Sequence, residues 1–224
     1  MKTLILDASS SSASVACAED EKLLYEGYLS NGLTHSSHLM PLVEDAMSYA
    51  GLDIADIDLF GCIVGPGSFT GVRIGVATVK GLMGDKKCVE LDGLHALALQ
   101  AGDFDGLVCP ILDARAGQVY AALFENGARV SEDQPVKLEE LLDELRKTGK
   151  KVLFLGDGVP VQKERLLKED FARLAPSSLW GLHASSALPL LLQNADKAVS
   201  AEELRPLYLR APSAQRAKEG KLHG

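Results

Sequence analysis

The sequence predicts an α/β protein of two duplicated lobes, each a mixed β-sheet with helices in the order β-β-β-α-β-α. Two observations carry this. Ile111-Leu112-Asp113-Ala114 repeats Ile5-Leu6-Asp7-Ala8 letter for letter, and each copy runs on through a polar turn into a second apolar strand, Val15-Ala16-Cys17 or Val119-Tyr120-Ala121. Further on, Phe154-Leu155-Gly156-Asp157-Gly158 echoes Val64-Gly65-Pro66-Gly67 as strand, glycine turn, then helix. Two matches in the same order are the mark of an internal duplication. The division falls near Gly102–Gly106, giving lobes at 1–104 and 105–204 and a C-terminal segment at 205–224.

Residues 2–8, 13–19 and 22–29 read as three strands, with Ser9-Ser10-Ser11-Ser12 and Asp20-Glu21 as the turns. A helix follows from His35. Leu39, Leu42, Val43, Ala46, Met47 and Ala50 keep the i, i+3, i+4 spacing, and Gly51 stands where a helix ends. Residues 59–64 form a short apolar strand, the glycine-rich turn follows, and a second helix runs from Thr70 to Met83. Residues 88–91 make a strand and 93–101 a short helix before the pattern restarts. The uncharged stretch Leu174–Ala195 contains Pro176, Pro189 and His183, which suit a loop and a buried helix better than a membrane span.

The 224 residues are 46% hydrophobic and 24% charged, a globular balance that excludes a disordered or fibrous chain. A formal charge of -8 argues against autonomous nucleic-acid binding. One segment is skewed the other way: from Arg205 onward five basic residues stand against one acid, Glu219. Cys17, Cys62, Cys88 and Cys109 have no C-x-x-C spacing and read as small core residues in a reducing, cytoplasmic compartment. Asp7 breaks the apolar run after Leu4-Ile5-Leu6, so no signal peptide is expected.

A doubled unit with an aspartate ending the first strand of each half is the layout of the actin-like ATPase fold. In that fold, phosphates sit between the lobes, on backbone N–H groups and opposite aspartates. Here the two turns read Asp7-Ala8-Ser9 and Asp113-Ala114-Arg115, without the glycine of a D-x-G turn. Both aspartates can equally clasp their own turns. Asp7, Ser9, Gly65, Gly67 and Ser68 are therefore degenerate phosphate-loop positions.

Gly65-Pro66-Gly67-Ser68-Phe69-Thr70-Gly71-Val72-Arg73-Ile74-Gly75 is neither a Walker loop nor a dinucleotide fingerprint. Ser68 or Thr70 serves as N-cap. Gly67, Gly71 and Gly75 recur every four residues, and glycine costs a helix roughly 1 kcal/mol against alanine, so something approaches closely there. Internal packing and a docked partner helix both satisfy that requirement. His35 and His38 lack a local third ligand, and capping by Thr34 or Ser36 explains that stretch better than a metal.

Four blocks, LILDASSSSASVA, VGPGSFTGVRIG, ILDARAGQVYAALF and PLYLRAPSAQ, resemble the TsaB (YeaZ) family of tRNA threonylcarbamoyladenosine biosynthesis proteins. The resemblance implies a non-catalytic scaffold that completes TsaD, the threonylcarbamoyl transferase acting on adenosine 37 of tRNAs reading ANN codons. It implies TsaE, a P-loop ATPase, as a further partner, homodimers when TsaD is absent, and tRNA contact only through the complex. No tightly bound cofactor and no metal are implied, with ATP or ADP at or near the partner interface. That interface falls on the two N-terminal-lobe helices, at His35, Leu39, Val43, Met47, Gly71, Gly75, Thr78 and Leu82. TsaD carries an H-x-x-x-H metal site, whereas Leu91-Asp92-Gly93-Leu94-His95-Ala96-Leu97 offers one histidine. The alternative function is a small actin-like ATPase or kinase, or a peptidase.

Overall fold

A computed structural model describes residues 1–30 and 35–209, with the backbone alone at 35–37. The caps expected at Thr34 or Ser36 and the basic tail from Arg210 lie outside the described residues or side chains.

The first sheet holds β1 (Lys2–Asp7), β2 (Ala13–Glu19), β3 (Lys22–Leu29), β4 (Leu59–Gly65) and β5 (Lys87–Asp92), in the order β3-β2-β1-β4-β5. Strands β3, β2 and β1 run antiparallel, and β1, β4 and β5 run parallel. The parallel steps need crossovers, supplied by α1 (His35–Ala50) and α2 (Phe69–Met83). In the second lobe, β6 (Leu107–Asp113), β7 (Gln118–Ala121), β10 (Gln134–Lys137), β11 (Val152–Leu155) and β12 (Ala172–Leu174) repeat the plan in the order β10-β7-β6-β11-β12. Here α4 (Leu138–Thr148) stands in for α1 and α5 (Gly158–Leu166) for α2. A small hairpin, β8 (Phe124–Glu125) and β9 (Ala128–Arg129), is inserted against β6. The duplication read from the two ILDA blocks is thus a duplication of topology.

Strand alternation sorts the core. Leu4 and Leu6 point into a cluster with Leu39, Val43, Phe60 and Val76 beneath α1 and α2, while Ile5 points the other way. Ile5 joins a central cluster shared by both lobes, containing Ile63, Leu91, Leu97, Leu112, Phe124 and Leu155. The central layer is completed by α3 (Gly93–Gln100) and α6 (Leu188–Gln193). Beneath α4 a third cluster holds Ile111, Leu141, Leu145 and Phe154.

One boundary differs from the sequence reading, which gave 105–204 to the second lobe. From residue 181 onward the chain returns to the first sheet. Ser14 Oγ donates to the Leu182 carbonyl (3.0 Å), Ser185 N–H donates to Glu26 Oε1 (2.9 Å), and the His183 ring stacks on Tyr28 with centroids 4.5 Å apart. Val199 then pairs with Cys88, and Leu204 is fully buried in the first lobe's core. The reason is that Leu188, Leu190 and Leu191 need a layer between two sheets, and a segment anchored there emerges beside the first. No helix among the described residues is long and apolar enough to cross a membrane.

Candidate functional site in the inter-lobe cleft

A cleft of about 640 Å³ opens between the lobes. Its walls are the β1–β2 turn (Ser9, Ser10, Ser11), the β4–α2 turn (Pro66 to Thr70), the β6–β7 turn (Asp113, Ala114, Arg115) and the start of α5; Leu207–Leu209 borders it.

Asp7 closes the first turn on itself. Its Oδ1 accepts from Ser9 N–H at 2.8 Å and from Ser9 Oγ at 2.6 Å, while Oδ2 is buried without a hydrogen-bond partner. Burial pushes the Asp7 carboxyl up to about 6, against the Ser9 hydrogen bonds that pull it down and with a smaller push from Asp157. With no exposed surface, Asp7 clasps the turn and is not a cleft-facing ligand position, which corrects that part of the sequence reading. Asp113 does the same job in the second lobe, accepting from Arg115 N–H at 2.9 Å, but it stays half-buried on the cleft wall. Arg115 takes φ +66°, with Ala116 at +54° and Gly117 at +73°. Arg115 and Ala116 thus hold a left-handed backbone conformation that glycine adopts without steric cost.

Asp157 joins the two turns. Its Oδ2 accepts from Ser11 N–H (3.0 Å) and its Oδ1 from Asp113 N–H (3.1 Å), so one carboxylate holds both lobes together at the floor of the cleft. Burial raises its pKa, and the N–H donors partly offset this. Sequence reasoning noted Asp157 only as part of the glycine-turn echo. Its place opposite Pro66 in that echo was the one available signal.

The glycine block is explained by the neighbouring turn. A Cβ on Gly67 would lie 2.0 Å from the Ser9 carbonyl oxygen, and one on Gly71 would lie 2.0 Å from that of Ala8. Ser68 N–H donates to the Ser9 carbonyl at 2.6 Å, and Ser68 Oγ accepts from Gly71 N–H at 3.3 Å, so Ser68 caps α2. Gly65 packs against the Leu207 carbonyl, 2.6 Å from where its Cβ would be. Ser9, Gly67 and Ser68 line the cleft; Gly65 faces away, beneath the C-terminal segment.

Several positions assigned to a partner interface are also corrected. Gly71 and Gly75 are buried, and the nearest atom to a Cβ on Gly75 is Ala8 Cβ at 3.8 Å, so the stripe packs on the chain's own turn. Leu39, Val43 and Met47 are buried in the first lobe's core. Thr78 and Leu82 are half-buried, Leu82 against that core, and the side chain of His35 lies outside the described residues. The exposed residues are Met40, Pro41, Glu44, Asp45, Ser48 and Tyr49 on α1, and Thr70, Arg73, Ala77 and Gly81 on α2. Arg73 is ordered: its guanidinium lies 3.8 Å from the Phe69 ring centroid and its Nε donates to Tyr208 Oη at 2.7 Å.

The family model described as TsaD, tRNA N6-adenosine threonylcarbamoyltransferase, matches residues 32–218, which span both lobes. The tRNA threonylcarbamoyladenosine biosynthesis protein TsaB of Bacillus subtilis is 36% identical over 174 residues, 74% of this chain and 75% of that protein. The chain belongs to the TsaB family. The TsaB of Escherichia coli is 28% identical over 232 residues, 99% of this chain and all of that protein. Among solved structures, YeaZ from Pseudomonas aeruginosa superposes with a TM-score of 0.76 at 25% identity, covering 93% of this chain and 99% of its own. The TsaB family's resemblance blocks map onto the site: the first and third carry the two aspartate turns, and the second is the interlocked glycine turn.

Proposed function

We propose that this chain acts in tRNA threonylcarbamoyladenosine biosynthesis as a cytoplasmic, non-catalytic subunit that supports the transferase TsaD and assembles with TsaE. The observation that carries this is the interlock of the two first-lobe turns. Phosphate recognition in an actin-like cleft needs free N–H groups and carboxylates aimed at a metal. In this chain the Ser9 carbonyl takes the Ser68 N–H, and Asp7 is wholly enclosed. At the second turn, Arg115 stands where glycine would leave room for a phosphate. These features support a cleft that holds the lobes together rather than one that turns over nucleotide.

The partner surface then falls on the outward faces of α1 and α2, with TsaD as the main occupant and a second copy of this chain there in its absence. ATP or ADP bound in the assembly sits at or near that surface, and tRNA engages only once the complex has formed. Reconstitution tests the reading. TsaD, TsaE, the threonylcarbamoyl-AMP donor and an unmodified tRNA should yield modified adenosine only when this chain is added. Modification at full rate without it, or ATP hydrolysis by the isolated chain at about 1 per second or faster, would replace the scaffold with the small-ATPase alternative.

A further inference from the structure

We propose that the β8–β9 hairpin is a pH-responsive latch between the lobes, gripping the first lobe when Asp133 carries a proton and loosening when it does not. The hairpin is rooted in the second lobe, where Leu107 and Val108 of β6 pair with Glu125 and Phe124. Its grip on the first lobe runs through Arg129. One guanidinium arm donates to Asp92 Oδ2 at the end of β5, and the other to Asp133 Oδ1, four residues further along. Asp92 is fixed in place as the N-cap of α3, its Oδ1 accepting from the N–H groups of Leu94 (2.8 Å) and His95 (3.1 Å). The Arg129 guanidinium lies 4.7 Å from the Phe124 ring centroid, and the His95 ring tilts against the same ring at 5.1 Å. None of Asp92, Arg129 and Asp133 lines the cleft, so this link is separate from the Asp157 clasp.

The charges in the latch do not balance. Carboxylates from different lobes share one cation, and the Asp133 side chain is only 11% exposed, so water screens the excess poorly. A proton on Asp133 removes that excess and supplies the donor for a hydrogen bond to Asp92. Burial pushes the Asp133 carboxyl up to about 6; the Asp92 charge and that hydrogen bond add to the rise, and Arg129 opposes it. The neighbouring groups do not make up the missing cation. On α3, burial and then the Arg129 charge lower the His95 pKa, against a hydrogen bond to Gly127 and the Asp133 charge. In the groove beside Asp92, Lys197 Nζ donates to Asn194 Oδ1 at 2.9 Å and Glu90 Oε1 accepts from Arg205 N–H at 2.8 Å. The folded value for Asp133 lies above the ordinary 3.8, so the closed latch is fully favoured below about pH 4 and loses that advantage as pH rises through 6. Beyond that point the like charges push the hairpin away from β5, and the Asp157 clasp and the shared core hold the lobes.

Hydrogen exchange of the full chain, read by mass spectrometry on peptides spanning residues 122–133, tests the latch at pH 5 and pH 7.5 after correction for the intrinsic rate at each pH. A carboxyl that titrates at about 6 in the closed latch and 3.8 in the open one should make hairpin opening about tenfold more frequent at the higher pH. Asp133→Asn keeps an acceptor for Arg129 but cannot ionise, and should show no such rise. Asp92→Asn keeps the α3 cap and removes the repulsion from the first lobe, so it should show a smaller rise than the parent. Asp7 is common to all three proteins and cancels in the comparison. A parent hairpin that opens equally at both pH values would overturn the latch. An undiminished rise in Asp133→Asn would place the titrating group elsewhere, and one in Asp92→Asn would confine the effect to the second lobe; either overturns it. Loss of folding in both variants would make the two carboxyls structural at every pH, and would overturn it equally.

Discussion

Alanine substitutions along α2 should have opposite signs within three turns of one helix. At Gly71 the new Cβ would sit 2.0 Å from the Ala8 carbonyl oxygen, against a comfortable separation of about 3.5 Å. Relief requires the β1–β2 turn to retreat by more than about 1 Å. That turn is pinned by the Asp7 bonds to Ser9 and by the Ser9 carbonyl's bond to Ser68. Overpacking costs about 1–3 kcal/mol, and the pinned backbone places this site at the upper end. The gain from replacing a helical glycine, about 1 kcal/mol, offsets only part of it. At Gly81 no atom lies within 4 Å of the new Cβ and the position is exposed, so only the helix gain of about 1 kcal/mol remains. Gly75, with its nearest neighbour at 3.8 Å, should fall between the two. Urea unfolding with slopes compared across the series reads the differences directly. Gly71→Ala should lower the midpoint and Gly81→Ala should raise it. A Gly71→Ala protein as stable as Gly81→Ala would refute the account of why the glycines are there.

Asp7 sets a pH dependence. Its folded pKa of about 6 lies above the ordinary value of 3.8, so the native state holds the proton more tightly. Its contribution is fully present below about pH 4 and is lost as pH rises through 6, a change on the order of 2–3 kcal/mol. Asp7→Asn keeps the Oδ1 acceptor and should flatten that fall, so unfolding at pH 4.5 and 7.5 should show the variant gaining on the parent at the higher pH. Asp157→Ala strands the N–H groups of Ser11 and Asp113 and should cost about 1–3 kcal/mol. Hydrogen exchange at those two amides should accelerate more than at β4, and equal protection would remove Asp157 as the link between lobes. Leu204→Ala, at a fully buried position remote in sequence from its core, should cost about 2–5 kcal/mol. A loss under about 0.5 kcal/mol would mean that the returning segment is not part of the first lobe.

The sequence by itself determined the lobes and their order. Strand alternation, helical spacing and the repeated ILDA block are local signals, and each survives in the fold because period and turn chemistry are properties of adjacent residues. It also determined that close approach occurs at the Gly67-Gly71-Gly75 stripe. Tertiary structure alone decided what approaches. The Ala8 and Ser9 carbonyls are some sixty positions upstream, and no local pattern distinguishes them from a partner helix. The same holds for Leu39, Val43 and Met47: the apolar face of α1 was legible, but the sheet that covers it is assembled from five separate strands. Asp157 was hardest to see, because a carboxylate after a glycine looks like any other turn residue until two N–H groups from different lobes converge on it. The placement of residues 181–207 on the first sheet was equally invisible, since buried apolar segments follow the space available between layers rather than their position in the chain.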